Sequence, residues 1–180
     1  MLVKIIKNIR LMYILYVKGG VKYCKYLGVN IGENCRIYTR HFGSEPFLIT
    51  ICNDVTITSG VKFITHDGST WLARDDKGRR YKYQRIFIGS NVFVGVNSII
   101  MPGVKIEDNV IVAAGSVVTK SIPSNSIVAG VPARIIGDYN VLINKMLSEY
   151  VSEKDIPKNG DYKEKILKVL SEDFKTFLKK

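Results

Sequence analysis

The sequence has few of the side chains that bind metals or form disulfide frameworks. Its 180 residues include two histidines and three cysteines. Because Cys24, Cys35 and Cys52 form no CxxC pair, neither a metal site nor a disulfide framework is expected. We interpret the three cysteines as small buried residues of a protein in a reducing compartment.

No stretch of the sequence is apolar for long enough to span a bilayer, which takes about 20 residues as a helix. The longest candidate is Leu11–Val17, and it is flanked by Lys4, Lys7, Arg10 and Lys18. The segment also lacks the small-residue cleavage site of a secretory signal. We therefore expect a cytoplasmic protein.

Acidic residues are scarce, above all at the start of the chain. The formal net charge is +11, from 27 Lys and Arg against 16 Asp and Glu. Residues 1–28 contain six basic residues and no acid, whereas residues 138–180 are nearly balanced. A basic body attracts anions such as phosphorylated cofactors, anionic glycans and anionic lipids. No nucleic-acid-binding motif accompanies the charge, so a nucleic-acid partner is not expected.

What the sequence does contain is a repeat of six residues. An aliphatic residue recurs at every sixth position, in the row Ile88, Val94, Ile100, Ile106, Val112 and Val118. Four positions later runs a second row of small or β-branched residues, namely Val92, Ser98, Val104, Val110, Ser116 and Ile122. The first row extends upstream through Ile51, Ile57 and Phe63, and again through Ile31 and Ile37 after a slip of two residues.

A period of six fits neither the 3.6-residue helix nor the two-residue strand. A chain that turns a corner every six residues folds into a prism with flat faces, whose turns stack by parallel backbone hydrogen bonds. Asn91, Gly103 and Asn109 tolerate the backbone angles of such corners. The alternative is a β-sandwich, but a sandwich would show turn signals every 8–12 residues rather than one register over six hexads. The pattern therefore predicts an all-β parallel β-helix.

The register is interrupted between Phe63 and Ile88. The intervening segment, residues 67–85, reads DGSTWLARDDKGRRYKYQR and has no hexad frame. A loop of this length on a compact scaffold is either functional or disordered, and its aromatic residues favour order. We predict an ordered excursion beside a binding cleft.

The two ends of the chain have helical patterns. In residues 1–27 the apolar residues follow 3–4 spacing, which predicts a helix. We favour a helix packed on the end of the prism over the alternative, a basic amphipathic helix that binds a membrane surface through residues 1–18. In residues 138–180 we predict capping helices over 141–150 and 161–180. The β-helical domain is then residues 28–137.

Two runs carry a family resemblance. The run IGSNVFVGVNSIIMPGVKIEDNVIVAAGSVVTKSIPSNSIVAGVPARII (Ile88–Ile136) resembles the hexapeptide-repeat acyltransferases, most closely the maltose, galactoside and nodulation-type sugar O-acetyltransferases. Its AGSVVTK and AGVPARII segments are specific as a pair. The run FGSEPFLITICNDVTITSGVKFITHDG (Phe42–Gly68) is similar to a subgroup found with cell-surface polysaccharide enzymes. The likeness covers about residues 28–137.

The resemblance implies a left-handed β-helix and a homotrimer with active sites at the subunit interfaces. It also implies an acetyl-CoA-dependent O-acetyltransferase that acts on a sugar hydroxyl in cell-surface polysaccharide biosynthesis, such as that of a capsule or O-antigen. The alternatives within this chemistry are an antibiotic O-acetyltransferase and an N-acetyltransferase for an amino sugar. A non-enzymatic alternative is a trimeric glycan-binding scaffold. A carbonic anhydrase on the same scaffold is rejected, since its metal site needs three histidines.

His66 matches the position of the family's catalytic histidine, at the end of a hexad coil just before the excursion. The resemblance makes it the general base that removes the acceptor hydroxyl proton, although the residue alone is equally compatible with a structural or surface histidine. His41 is interpreted as a packed loop histidine. Glu45 and Asp67 are candidates for orienting His66 or the acceptor, and Trp71 is a weak candidate for acceptor contact.

Aligning the run onto the family places the coenzyme A contacts at Val96, Ala114, Thr119, Lys120 and Arg134. Small residues would let the pantetheine arm lie against the coil, while the two basic side chains would meet the phosphates. The family has a serine or glycine where this chain has Val96, so only a backbone contact would survive there. A cysteine nucleophile is the rival mechanism, but no cysteine has a base visible in the sequence, and direct attack on the thioester is preferred.

Overall fold

The computed structural model of the chain describes residues 2–171 and 174–177. It divides the chain into two compact units, Met1–Asn140 and Val141–Lys180. The first unit contains short strands joined by tight corners. These strands are β1 (Asn30–Ile31), β2 (Arg36–Ile37), β3 (Ile49–Ile51), β4 (Thr56–Ile57), β5 (Lys62–Phe63), β6 (Arg74–Asp75), β7 (Gly78–Arg79), β8 (Ile86–Ile88), β9 (Val92–Val94), β10 (Ile99–Ile100), β11 (Lys105–Ile106), β12 (Val110–Val112), β13 (Val117–Val118), β14 (Ser126–Gly130) and β15 (Ala133–Asp138).

The strands form three parallel sheets that the chain visits in a fixed rotation. The first sheet has the order β1-β3-β8-β11, the second has β14-β12-β9-β4-β2 in parallel, and the third has β13-β10-β5. Paired residues such as Ile88 and Ile106 are one full coil of three hexads apart. The predicted parallel stacking of six-residue rungs is therefore confirmed by the strand pairing.

The two rows of the repeat form the core between the sheets. Every member of the aliphatic row is buried, and so is every member of the second row. Burial of each aliphatic side chain stabilises the fold by about 1.5–3 kcal/mol. The two serines of the second row are satisfied locally, because Ser98 Oγ donates to Gly95 O at 2.8 Å and Ser116 Oγ donates to Ala113 O at 2.7 Å.

The corners have left-handed backbone conformations at asparagine and glycine. Asn91 and Asn109 have φ of 59° and 57°, and Gly103 has φ of 81°, as the sequence predicted for these three corner residues. The asparagines also stack across coils, since Asn91 Nδ2 donates to Asn109 Oδ1 at 2.8 Å and Asn109 Nδ2 donates to Asn125 Oδ1 at 3.0 Å. This ladder ties each corner to the corner above it.

The predicted N-terminal helix is present in two parts. Helix α1 (Leu2–Tyr13) continues into a π-helical turn (Ile14–Lys18), and helix α2 (Gly20–Leu27) follows. It is α2 that packs on the first coil, where it buries Tyr23 and Cys24.

The apolar stripe of α1 does not pack on the prism, contrary to the expectation from the sequence. Ile6 and Ile9 are 58% and 64% exposed, whereas Leu11, on the other side of the helix, contacts the core. The end of the prism is already covered by α2, so the stripe has nothing left to cover. The alternative given above, a helix that binds a membrane surface, is not tested by the structure. Within the described residues, no helix is long and apolar enough to cross a bilayer.

The excursion is ordered, as its aromatic content predicts. It leaves after β5, forms a 3-10 helix (Gly68–Leu72) and the antiparallel hairpin of β6 and β7, and returns to β8. The sequence did not predict a second hairpin, in which β15 pairs antiparallel with β14 and closes the last coil.

Of the two predicted C-terminal helices, the first is about as long as predicted and the second is shorter. Helix α3 (Tyr139–Glu149) begins two residues before the predicted start, and helix α4 (Tyr162–Val169) ends well before residue 180. Residues 170, 171 and 174–177 are not helical, and the rest of the predicted helix lies outside the described residues. Phe174 and Phe177 are fully exposed, so a helix there would bury no apolar face to stabilise it.

The close stacking of coils gives a test at Gly95. A Cβ there would lie 2.5 Å from the backbone nitrogen of Ala114 and 2.8 Å from the backbone carbon of Ala113, which belong to the next coil. Because these atoms cannot move without separating the coils, we expect Gly95→Ala to lower the free energy of unfolding by about 1–3 kcal/mol. Denaturant unfolding followed by circular dichroism measures this. Gly68→Ala is the control, since its Cβ would meet nothing within 4 Å, and equal losses in both variants would contradict the prediction.

Candidate functional site

A cavity of about 370 Å³ opens where the excursion leaves and rejoins the coils. The floor of the cavity is formed by the third sheet. It consists of the residues that come directly after the buried, inward-facing residue in three successive coils. Its other wall comes from the two ends of the excursion. The lining residues are Ile64, His66, Asp67, Gly68, Lys82, Gln84, Met101, Pro102 and Thr119.

His66 is held at the base of the excursion by backbone pairing. It forms an antiparallel bridge with Tyr83, whose ring lies edge-on at 6.0 Å between centroids. On either side, the Asp67 amide donates to Lys82 O at 3.1 Å and the Gln84 amide donates to Thr65 O at 2.9 Å. The histidine is therefore fixed by the rigid coil on one side and by the returning excursion on the other.

Glu45 reaches the same histidine from a different loop. Its Oε2 lies 2.9 Å from His66 Nδ1 and accepts a hydrogen bond from Thr65 Oγ1 at 2.5 Å. Glu45 lies between β2 and β3, where the repeat slips by two residues, and that extra length allows the loop to bulge toward His66. One of the two candidates for orienting His66 is thus in direct contact with it.

The Glu45 carboxyl group is held in its ionised form. The Thr65 hydroxyl, and after it the His66 ring, keeps the pKa of Glu45 below its ordinary value of 4.5. A carboxylate can only accept hydrogen bonds, so His66 Nδ1 carries a proton and Nε2 is left for a substrate. A histidine with this orientation can take a proton from a hydroxyl group at Nε2.

Asp67 and Trp71 have other partners. Asp67 caps the 3-10 helix, accepting from the Ser69 amide at 2.9 Å and from Ser69 Oγ at 2.6 Å, and these bonds lower the pKa of Asp67. It lines the cavity but does not contact His66 by a hydrogen bond. Trp71 lies outside the cavity lining and is 54% exposed, with the Arg74 guanidinium 3.8 Å above its ring.

The residues predicted to contact coenzyme A occupy three places. Thr119 lines the cavity that holds His66. Lys120 and Arg134 come together in a second cavity of about 370 Å³ beside the hairpin of β14 and β15. Val96 and Ala114 are exposed at another corner, where the Gly115 amide donates to Val96 O at 2.8 Å, and neither lines the two cavities.

His41 lies apart from these two cavities. It forms a parallel bridge with Lys62 in the third sheet, and it lines a different cavity of about 360 Å³ that also includes Tyr16 and Arg40. His41 is exposed and lies at this strand bridge, so it is not the packed loop residue that was expected.

The thiols are poorly suited to nucleophilic attack. Burial raises the pKa of Cys24 to about 12, and burial also raises the pKa of Cys35 and of Cys52. A reactive cysteine needs a lowered pKa, because the thiolate is the nucleophile. A cysteine nucleophile is therefore disfavoured. Among the described residues, no group of three or more His, Cys, Asp or Glu could hold a metal ion.

Sequence reasoning missed several residues of the first cavity. Ile64 and Met101 occupy the same position in their hexads as Thr119, directly after Phe63, Ile100 and Val118, so the repeat could have identified them. Lys82 and Gln84 had no such signal, because the excursion has no frame that says which of its residues return to His66.

The chain is similar to several known proteins. A family model described as a hexapeptide repeat of succinyl-transferase matches residues 85–120. Protein CapG of Staphylococcus aureus is 48% identical over 148 residues, which cover 81% of this chain and 84% of CapG. WbbJ of Escherichia coli K12, assigned by name to O-acetyl transfer in lipopolysaccharide biosynthesis, is 36% identical over 100 residues, about half of each chain.

The fold also resembles a solved structure that contains the coenzyme. A galactoside acetyltransferase in complex with coenzyme A matches with a TM-score of 0.59 and 27% identity. The match covers 82% of this chain and 85% of that chain. It therefore extends beyond the coils that carry His66 and Arg134.

The Glu45 contact predicts a pH-dependent stability. Because its folded-state pKa is lowered, Glu45 stabilises the fold at pH values above its ordinary pKa of 4.5, and this contribution is lost as the pH falls through the lowered value. We expect the wild type to be more stable than Glu45→Gln at pH 7, with the difference shrinking below pH 4.5. Thr65→Val removes the hydroxyl that lowers the pKa of Glu45, so the stability difference from Glu45→Gln should change less between pH 7 and pH 3.5 in that background. Denaturant unfolding at pH 3.5 and 7 measures it, and a difference that is the same at both pH values would contradict the assignment.

Proposed function

The chain belongs to the hexapeptide-repeat acetyltransferase family, and from this premise we propose that it acetylates a sugar hydroxyl in cell-surface polysaccharide biosynthesis. It is an acetyl-CoA-dependent O-acetyltransferase. Two relatives are named for saccharide chemistry, a galactoside acetyltransferase and the lipopolysaccharide-related WbbJ, and these names support a sugar acceptor. The single observation that carries the proposal is His66, tied to Glu45 in a cavity that Thr119 also lines.

In the proposed mechanism His66 acts as the general base. Its Nε2 takes the proton of the acceptor hydroxyl as that oxygen attacks the thioester carbonyl carbon. A carbon–oxygen bond forms, the carbon–sulfur bond breaks, and the proton passes from His66 to the departing sulfur. The Glu45 carboxylate accepts the hydrogen bond from Nδ1 and so holds the imidazole in the tautomer that leaves Nε2 free to take the proton.

The proposed donor site follows the coil surface away from His66. Thr119 lies in the cavity of the base, and its neighbour Lys120 lies in the second cavity with Arg134. The reactive thioester would therefore meet the first cavity while the phosphates meet the two basic side chains. Arg134 has no carboxylate within salt-bridge distance among the described residues, so its charge is available to an anion.

We further propose that the coils wind left-handed. The usual crossover rule for parallel strands would give the opposite hand. The proposal is supported by the match to the galactoside acetyltransferase over most of both chains, together with the three-sided rotation of short strands. An experimental structure with right-handed coils would refute it.

A homotrimer with donor sites between chains is the proposed assembly. Its support lies in the separation of the predicted coenzyme contacts: Val96 and Ala114 lie at a corner away from the cavities of His66 and Arg134. One coenzyme molecule could contact both groups if the corner of one chain faced the cavities of its neighbour.

Removal of the base tests the function. We expect His66→Ala to fold and assemble normally and to lose about 10²–10⁴ in kcat/KM, because no other group takes the hydroxyl proton. Acetyl transfer is measured as thiol release from acetyl-CoA with a panel of neutral sugars, acidic sugars and aminoglycosides as acceptors. His41→Ala is the matched control and should keep its activity. Unchanged kcat/KM in His66→Ala would remove the residue from the mechanism.

Mixing of variants tests the shared donor site. Ala114→Trp should block the donor at the exposed corner, and His66→Ala lacks the base, so each is expected to be inactive alone. If sites form between chains, random co-assembly restores about one quarter of them, since one chain supplies His66 and its neighbour supplies Ala114. Light scattering should give three times the chain mass of 20.3 kDa. A monomer, or mixed trimers that regain no activity, would contradict the proposed assembly.

A further inference from the structure

The excursion is the most basic part of the chain near the catalytic cavity. Residues 67–85 contain six Lys and Arg against three Asp. Arg80 is paired with Asp75 inside the β6–β7 hairpin. Arg79 and Lys82 have no salt-bridge partner among the described residues. The excursion thus presents positive charge that the chain itself does not neutralise.

The same segment carries a row of aromatic rings that starts at the catalytic histidine. Tyr83 lies edge-on to His66, and Tyr81 is stacked on Tyr83 with centroids 6.1 Å apart and an angle of 7° between the rings. The Arg79 guanidinium follows at 4.6 Å from the Tyr81 ring and 4.8 Å from the Trp71 ring. We call Trp71, Arg79, Tyr81 and Tyr83 the ring row.

The ring row is open to solvent. Trp71, Tyr81 and Tyr83 are 54%, 61% and 52% exposed, although aromatic side chains of this size normally bury most of their surface. Beyond the ring row, the Arg74 guanidinium packs on the Trp71 ring, 3.8 Å from the ring centroid. A track of exposed rings and cations therefore leads outward from the cavity.

Arg79 is the member of the row with unsatisfied hydrogen-bonding capacity. Its Nε is shielded from water and has no hydrogen-bond partner among the described residues. None of its other guanidinium nitrogens donates to a described residue either. The two rings hold the guanidinium in place, and the positioned fork matches the geometry of a carboxylate or phosphate group.

We propose that the ring row and Lys82 form an acceptor subsite for an acidic saccharide chain of several sugar units. The inference rests on the proposed transfer to a sugar, and it names the class of acceptor. Pyranose rings have an apolar C–H face that packs on aromatic rings, and acidic groups on the chain would meet Arg79 and Lys82. Trp71 does not line the cavity at His66, so a ligand confined to that cavity would not contact it, and the ring row is explained by an acceptor longer than one unit.

Binding without acetyl-CoA tests the subsite directly. The probes are the galacturonic acid hexamer, its monomer and the carboxyl-reduced hexamer, titrated by calorimetry into the wild-type protein in low and high salt. We expect the acidic hexamer to bind about tenfold more tightly than either of the other two, with the advantage over the neutral hexamer falling as salt screens the charges. Equal affinity for the acidic and reduced hexamers would overturn the inference.

Variants separate the ring row from charge in general. Arg79→Gln, Tyr81→Ala and Lys82→Gln should each weaken binding of the hexamer about tenfold. Lys77→Gln is the matched control, because it removes the same charge from the same excursion at a residue without a ring contact in the structure. Its affinity should stay within about twofold of the wild type. An equal loss in Lys77→Gln would reduce the effect to net charge and overturn the inference.

The folding of the variants and the proposed function are read out separately. Unfolding temperatures show whether Arg79→Gln disturbs the excursion. Lys82→Gln serves as the second variant, because the Lys82 side chain makes no hydrogen bond or salt bridge to any described residue. Binding of the hexamer without acetyl transfer to any sugar would contradict the proposed function alone. Transfer to neutral sugars with no preference for the acidic hexamer would contradict this inference alone.

Discussion

The structure depends on the backbone hydrogen bonds that hold each coil in a fixed register with the next. The Gly89 amide donates to Ile106 O, and the Ile99 amide donates to Ser116 O, both at 2.8 Å. No single coil can bury its own aliphatic residues, so the core exists only while the coils remain in register. A shift by one residue would move the buried side chains to the outside of every face. The six-residue repeat in the sequence reflects the need to keep the coils in this register.

The same constraint decides where extra residues can be accommodated. An insertion within a strand would break the register, so additional chain has to leave at a corner. The first coil departs from the third sheet after His41, and the second departs after Ile64, which lie on neighbouring coils. The two insertions therefore emerge side by side. Their proximity is what brings Glu45 from one to His66 at the base of the other.

The sequence predicts the regular coils better than it predicts the insertions. The coils were predictable, because each hexad carries its own aliphatic signal. His66 became the proposed base only when the family resemblance was added to its place at the end of a hexad. Its contact with Glu45 could only be suggested, because the shape of an insertion depends on neighbours that the repeat does not encode. The position of Lys82 was not predictable for the same reason, and the β14–β15 hairpin was missed because residues 133–138 lie beyond the regular hexads. Local periodicity predicts the scaffold, whereas contacts between insertions depend on the assembled fold.

In the proposed reaction the acetyl donor and the acceptor bind to different parts of the fold, the regular coils and the excursion. Thr119 and Lys120, on the donor side, lie directly after an inward-facing valine of the regular coil, so the core that stabilises the fold also fixes their positions. The acceptor side consists of an excursion whose exposed rings and cations contribute little to that core. Its composition can change without disturbing the register of the coils, because it is attached at one corner. In the proposed reaction the acetyl donor therefore binds along the regular coils, and the class of acceptor has to be inferred from the segment that lacks the repeat.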